Sequence, residues 1–361
     1  MNGRVAVWTA PRAPFEIREY PVADPEADSI LVRMRVCNIC GSDLHLWHGD
    51  TVPFEPGQVL GHEMVGTIEK IGHNVKTDSL GQPLSEGDRI IYAYARHCGT
   101  CRYCLTREAP CPTRNSHWIK VSSETAPHFH AGYGEFYFVR PGQPVFKVAD
   151  SLSDDLVSPV NCAGAQVAEA MHRVTVRAGD SVIVQGAGGL GLYAATMARE
   201  AGARQVIMFD GYTERLEFAQ QFGATHFVNI SEITPEDRQA QVLEWTDNLG
   251  ADIAFEFAGV PAAVAEGITL LRQGGQYLVA GNISGKETTF DPTNIVRRCL
   301  TVQGLHGYEA GAIPRSLNFL QRTQNKYPYE KMISHHFGFE EINDAFALAD
   351  RGEGVRVSID F

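Results

Sequence analysis

Residues 181–210, SVIVQGAGGLGLYAATMAREAGARQVIMFD, decide how the second half of this chain folds. SVIVQ reads as a buried strand. Gly186-Ala187-Gly188-Gly189-Leu190-Gly191 follows it, an apolar-periodic helix comes next, and QVIMFD is a second strand. A glycine run between strand and helix is the context of a dinucleotide-binding turn; the competing reading is a glycine-rich helix cap. Gly186 permits the tight turn, Gly188 lets the backbone approach a pyrophosphate, and Gly191 lets helix and strand pack closely, while the helix N-terminus favours negative charge. Asp210 can accept hydrogen bonds from ribose hydroxyls and repel a 2′-phosphate, which favours NAD over NADP, although an Asp here can also cap the next helix.

Working outward, the rhythm of apolar strand, glycine turn and amphipathic helix recurs in TERLEFAQQFGA, ADIAFEFAG, PAAVAEGITLLRQGG and QYLVAG, and fades after about Leu300. Such repetition predicts an α/β, doubly wound parallel sheet with helices on both faces. Residues 5–148 read instead as mainly β, in ILVRMRV, MVGTIEKIG, DRIIYAYA and FYFV, with the polar residues 76–86 as a surface loop. The tail, EEINDAFALADRGEG then VRVSIDF, need not belong to the nucleotide domain.

At 361 residues, with 44% hydrophobic and 20% charged residues, the chain has the balance of a globular protein and the length of two domains. The net charge of −12 opposes a nucleic-acid partner, because no basic surplus exists to displace counterions from phosphates. No segment has the length and apolarity of a membrane span, and the first twenty residues lack a secretory leader's apolar core, so a cytoplasmic protein is expected. In that compartment its eight cysteines read as metal ligands or core thiols before disulfides.

Four of them, Cys98, Cys101, Cys104 and Cys111, crowd into CGTCRYCLTREAPC. Two C-x-x-C steps can bring thiolates round a tetrahedral zinc at about 2.3 Å, and four thiolates leave no open position, so this site is expected to be structural. The alternative, a set of small buried hydrophobes, fits poorly with Arg102, Arg107 and Glu108 between them. Cys40, in CNICGSDLH, and His62, in LGHE, offer one soft and one borderline zinc ligand beside strand ends. Singly, each reads as core. Their neighbours change the reading: Asp43 can orient His62 through its far nitrogen, Glu63 sets a carboxylate beside the metal, and Ser42 and His45 supply a hydroxyl and an imidazole able to move a proton.

GHE, the CGSDxxH spacing, the four-cysteine loop and the glycine fingerprint together resemble the medium-chain zinc alcohol dehydrogenase family, from end to end of the chain. The resemblance implies a GroES-like mainly-β catalytic domain over residues 1–160, a Rossmann domain over 161–303, and a segment, 304–361, returning to the catalytic domain. It implies two zinc ions per chain, one structural and one catalytic, the latter held by Cys40, His62 and Cys162 with Glu63 beside them. Taken alone, Cys162, in the Ala-rich NCAGAQVAEA, would read as core. Further implications are a proton path through Ser42 and His45, an adenosine-side contact from Arg215 and a pyrophosphate contact from Arg356, each otherwise a solvated surface charge.

The resemblance also implies a small alcohol or ketone as the substrate. Trp47, Tyr94, His117, Trp118 and Asn282 are expected pocket lining, and their bulk suggests a cyclic or otherwise apolar secondary alcohol. The polar insert around Asp78 and GQPL resembles a branch of the family that includes dehydrogenases of cyclic, terpenoid-type alcohols such as hydroxycamphor. The alternatives are an aldehyde or ketone reductase, a polyol- or threonine-type dehydrogenase, which usually carries a carboxylate at the position of Cys162, and an inactive binding protein on the same fold. Three departures from the family pattern stand out: a Cys104-to-Cys111 connection one residue short, Gly41 in place of a basic residue, and Gln166 in place of a small hydroxyl. An edge strand at 301–305 predicts a homodimer or homotetramer.

Overall fold

The computed structural model describes residues 1–50, 55–106, 111–114, 121–281 and 286–361. They form two compact units: Met1–Ala165, Glu309–Gln324 and Tyr329–Phe361 make unit 1, and Gln166–Tyr308 with Asn325–Pro328 makes unit 2. Unit 1 begins with β1 (Asn2–Trp8), β2 (Glu16–Pro21), β3 (Ile30–Ile39), α1 (Gly41–His48), β4 (Gln58–Val59), β5 (Glu63–Ile71), β6 (Arg89–Tyr92), α2 (Arg102–Thr106), β7 (Phe136–Val139), β8 (Val145–Lys147) and α3 (Asp154–Val157), then a π-helical turn (Val160–Gly164). After α4 (Ala165–Arg173), unit 2 runs through β9 (Ser181–Gln185), α5 (Gly189–Glu200), β10 (Gln205–Asp210), α6 (Thr213–Gln220), β11 (His226–Asn229), α7 (Pro235–Trp245), β12 (Ala251–Glu256), α8 (Pro261–Leu270), β13 (Leu271–Val279), α9 (Thr293–Arg297) and β14 (Thr301–Gly304). The chain then returns to unit 1 with α10 (Ala312–Thr323), β15 (His335–Gly338), α11 (Ile342–Asp350) and β16 (Val357–Asp360).

Among the described residues, the main sheet of unit 1 has the order β15-β16-β3-β5-β6-β8, with β7 also on β3, beside a smaller β2-β1-β4 sheet. Central β3 is buried except at Arg33 and Arg35, the pleat sending these two charges to one face and Val32, Met34 and Val36 to the other. The return segment belongs here for two reasons. β16 pairs antiparallel with β3, Val357 opposite Ile39, and Phe346 of α11 lies 4.7 Å ring to ring from Phe15. Residues more than 300 positions apart thus share one core.

Unit 2 is a parallel sheet in the order β11-β10-β9-β12-β13-β14. Its central strand, β9, is buried at every position, as a parallel strand covered on both faces must be. Helix starts follow local chemistry: the Thr234 hydroxyl accepts from the N–H of Asp237, and Pro235 opens α7 where a missing N–H costs nothing.

Two details differ from the sequence reading. The return to unit 1 begins at Glu309 and is broken at Asn325–Pro328, which sits with unit 2 because Lys326 Nζ and Tyr327 Oη bond the Glu200 carboxylate at 2.8 and 2.9 Å. The 76–86 loop is anchored rather than merely superficial. Asp78 is 5% exposed, and its carboxylate accepts from the backbone N–H groups of Leu80, Gln82 and Lys147. Among the described residues, no helix is long and apolar enough to cross a membrane.

Candidate metal centres and dinucleotide turn

Cys40 follows β3 directly and N-caps α1, and its N–H donates to Asp43 Oδ2 at 3.0 Å. The other oxygen, Oδ1, lies 3.1 Å from His62 Nδ1, while Tyr133 Oη donates to Oδ2 at 3.2 Å. Asp43 is fully buried. With Nδ1 engaged, His62 presents Nε2 to the interior, where Ser42 Oγ stands 3.4 Å away. The β3–β5 ladder sets Asn38 opposite Glu63, and so brings His62, just before β5, alongside Cys40. Cys162 arrives on the π-helical turn, its Sγ 3.9 Å from Cys40 Sγ. A tetrahedral zinc with Zn–S bonds of about 2.3 Å requires an S–S edge of about 3.8 Å. The ligand atoms of Cys40, His62, Glu63 and Cys162 all lie within 4.8 Å of one another.

The cluster's electrostatics favour a cation. Donation from Cys162 and His62 carries the Cys40 thiol well below its usual range, and the same hydrogen bond keeps the proton on Cys162. Burial pulls His62 down, but Asp43 and Cys40 outweigh it and raise the imidazole. Burial pushes Glu63 up to about 7 against the pull of Arg356. Glu63 Oε2 is ion-paired with Arg356 Nη1, and Oε1 has no hydrogen-bond partner. An unpaired buried acceptor costs about 1–3 kcal/mol, more when charged, and a metal beside it removes that cost. Arg356, read from sequence as a pyrophosphate contact or surface charge, is 6% exposed with its guanidinium on Glu63, since only a carboxylate can compensate a charge buried so deeply.

In the second cluster, Sγ–Sγ distances are 3.8 Å for Cys98–Cys104, 3.5 Å for Cys101–Cys104, 3.8 Å for Cys101–Cys111 and 3.6 Å for Cys98–Cys111. These are also tetrahedral edges. The short Cys104-to-Cys111 connection therefore still closes the set. N–H groups turned toward Cys98, those of Thr100 and Cys101, bring its thiol down to about 5.

In unit 2, Gly186 has φ +101°, and a Cβ on Gly191 would lie 1.8 Å from Gly186 O, so this turn and helix contact require glycine. At Gly188, the N-cap of α5, a Cβ would meet nothing within 4 Å, which leaves backbone open to a ligand; Gly189 and Leu190 form the first turn of the helix. Asp210 Oδ2 accepts from Ala187 N at 2.7 Å and Oδ1 from Tyr212 N at 3.0 Å, so its carboxylate is fixed at the mouth of the turn. The Arg215 guanidinium lies 4.9 Å from the Tyr212 ring centroid.

Comparison with known proteins ties these sites to a family. Residues 26–150 match the alcohol dehydrogenase GroES-like domain and residues 189–322 the zinc-binding dehydrogenase domain. An L-threonine 3-dehydrogenase of Shewanella halifaxensis is 31% identical over 340 residues, covering 92% of each chain. The chain belongs to the zinc-dependent medium-chain alcohol dehydrogenase family. As a member it is a dehydrogenase whose cofactors are zinc and a nicotinamide dinucleotide. The 5-exo-hydroxycamphor dehydrogenase of Pseudomonas putida is 29% identical over 96% of this chain and 95% of its own. An alcohol dehydrogenase of Thermotoga maritima superposes with a TM-score of 0.94 at 29% identity over 100% of this chain and 99% of that one.

Placed on this alcohol dehydrogenase fold, the remaining expectations separate. Tyr94 stands edge-on to His62, ring centroids 5.3 Å apart. Trp47 donates to Ala13 O and is half-buried against the unit 1 core beside Phe346. His117, Trp118 and Asn282 lie outside the described residues. A Cβ at Gly41 would meet nothing within 4 Å, so no packing demands glycine there. His45 is exposed, with Nδ1 3.7 Å from Asp50 Oδ2. Sequence reasoning missed Tyr133, the second anchor of Asp43, because its residue type and its distance of 90 positions gave no local signal.

Proposed function

We propose that this chain oxidises a secondary alcohol to a ketone with NAD at a zinc site made by Cys40, His62 and Cys162. The observation that carries the reading is the 3.9 Å Cys40–Cys162 edge beside a His62 whose Nδ1 is held by Asp43. Held by these residues, zinc would supply Lewis-acid activation of the substrate oxygen, and NAD would accept the hydride that leaves the carbinol carbon. The chain's own residues do the rest. Asp43 fixes the His62 ring and leaves Nε2 inward, and the Glu63–Arg356 pair keeps a compensated charge behind the site. Ser42 Oγ takes the alcohol's proton, and His45, one turn further along α1 and exposed, passes it to solvent. Asp210 favours NAD over the 2′-phosphorylated form, with Arg215 at the adenosine side. Cys98, Cys101, Cys104 and Cys111 hold a structural zinc.

For the substrate, a thiol at position 162 favours a simple or cyclic secondary alcohol, in keeping with the hydroxycamphor relative. A threonine-type activity is the second reading, favoured by the identity to the threonine dehydrogenases. NADH formation from cyclic secondary alcohols and from L-threonine, with zinc content measured alongside, tests both. Two zincs per chain and faster oxidation of the cyclic alcohols are expected. Preference for L-threonine overturns the substrate assignment, and no metal with no turnover leaves a binding protein. We further propose that the outer edge of β14 pairs with a second copy in a homodimer or homotetramer, which mass in solution checks.

A further inference from the structure

Two buried side-chain amides stand between the segments that carry Cys40, His62 and Cys162. Asn38 and Asn161 are each 0% exposed. Asn38, two residues before Cys40 on β3, donates through Nδ2 to Ser158 Oγ at 2.9 Å, four residues before Cys162. Asn161, the neighbour of Cys162, donates through Nδ2 to Tyr92 O on β6 and accepts at Oδ1 from the N–H of Met64, two residues after His62.

These bonds supply what the backbone does not. The β3–β5 ladder fixes Cys40's strand to His62's, with Asn38 opposite Glu63. Cys162 lies on a turn outside the sheets of unit 1, 122 positions from Cys40, and among the described residues no ladder reaches it. Asn38 ties that turn to the strand of Cys40, and Asn161 ties it to the strand of His62 and Glu63, so the three ligand-bearing segments form a closed triangle.

Packing alone does not account for amides here. Asn38 Oδ1 is buried without a hydrogen-bond partner, a cost that an apolar side chain of the same size would avoid. What the amide adds is direction: a hydrogen bond fixes the offset between two segments, where an apolar contact lets them slide. We propose that Asn38 and Asn161 are positioning residues that hold the Cys162 turn at ligand distance from Cys40 and His62. The proposal rests on the reading of those three residues as a metal site.

The experiment uses the holoenzyme with cobalt(II) exchanged into the site, and two variants. Ser158→Ala removes the hydroxyl acceptor of Asn38, and Asn161→Leu removes the amide that bonds Tyr92 O and the N–H of Met64. Metal transfer to a chromogenic chelator is timed, with the four-cysteine site as the internal reference, and the visible cobalt–thiolate bands are recorded. The expected result is release from the Cys40 site about tenfold to a hundredfold faster, the range typical for loss of a group supporting a ligand, with shifted cobalt bands and unchanged release from the four-cysteine site. Unchanged release and spectrum in folded Ser158→Ala overturn the proposal, whether or not Asn161→Leu folds. Equal acceleration at both sites also overturns it, since that is general loosening. If the unsubstituted protein takes up no metal at Cys40, His62 and Cys162, the metal reading itself has failed, and the frame with it.

Discussion

The two cysteine-bearing clusters reach similar sulfur geometry by opposite routes. Cys98, Cys101, Cys104 and Cys111 lie within fourteen consecutive positions, with the N–H of Cys101 donating to Cys98 Sγ and Cys98 exposed. Cys40, His62 and Cys162 come from a strand end, a strand start and a π-helical turn, and Cys162 and His62 are 7% and 2% exposed. Read as zinc sites, the first would saturate its metal with ligands close in sequence, whereas the second would leave a position for substrate and draws its ligands from three separate segments of unit 1.

The sharpest way to break this contrast is Cys162→Ala. It should remove one equivalent of zinc and lower turnover by about a thousandfold or more, because several kcal/mol of transition-state stabilisation go with the metal. Zinc at the four cysteines should stay. Metal analysis with a turnover assay decides, and a variant keeping both zincs and its rate ends the assignment of Cys162. Ser42→Ala should slow turnover by about a hundredfold or more while NAD affinity measured by fluorescence titration is unchanged. An unaltered rate removes Ser42 from the proton path.

Asp43→Asn keeps the size of the side chain but not the charge that holds His62 Nδ1. Zinc affinity at the buried site should fall by about tenfold to a hundredfold, read by competition with a chelator. A mild chelator or lowered pH should act in the other order. Thiolate ligands must be deprotonated, so each metal is lost as pH falls, and the less buried four-cysteine site should empty first. The expected record is one zinc lost with most initial turnover retained and a melting temperature lower by several degrees. Simultaneous loss of metal and activity breaks the contrast.

The same difference explains what could be read from the sequence. The four-cysteine loop and the glycine run are contiguous, so spacing alone announces them. Cys40 and His62 carry local partners, in Asp43, Ser42 and Glu63, and were legible as a pair. Cys162 was not, because NCAGAQVAEA reads as an apolar helix start and its meaning depends on a neighbour 122 positions away. The pairing of Arg356 was hidden for the same reason, its carboxylate lying 293 positions upstream. For the fold, the alternation of strand and helix made unit 2 plain, while the four-residue excursion of Asn325–Pro328 rests on two bonds to Glu200 that no periodicity encodes.

The π-helical turn at Val160–Gly164 bears on how such a site can change without the fold changing. A π-turn is an α-helical turn with one residue more, and each residue in a helix advances about 100° around the axis. Deleting a single residue from it would swing Cys162 by about that angle away from Cys40 and leave α4 in place. If Cys162 is a metal ligand, it is thus carried on a turn one residue longer than an α-helical one, and a single-residue deletion would remove it while leaving the sheets and the nucleotide turn in place.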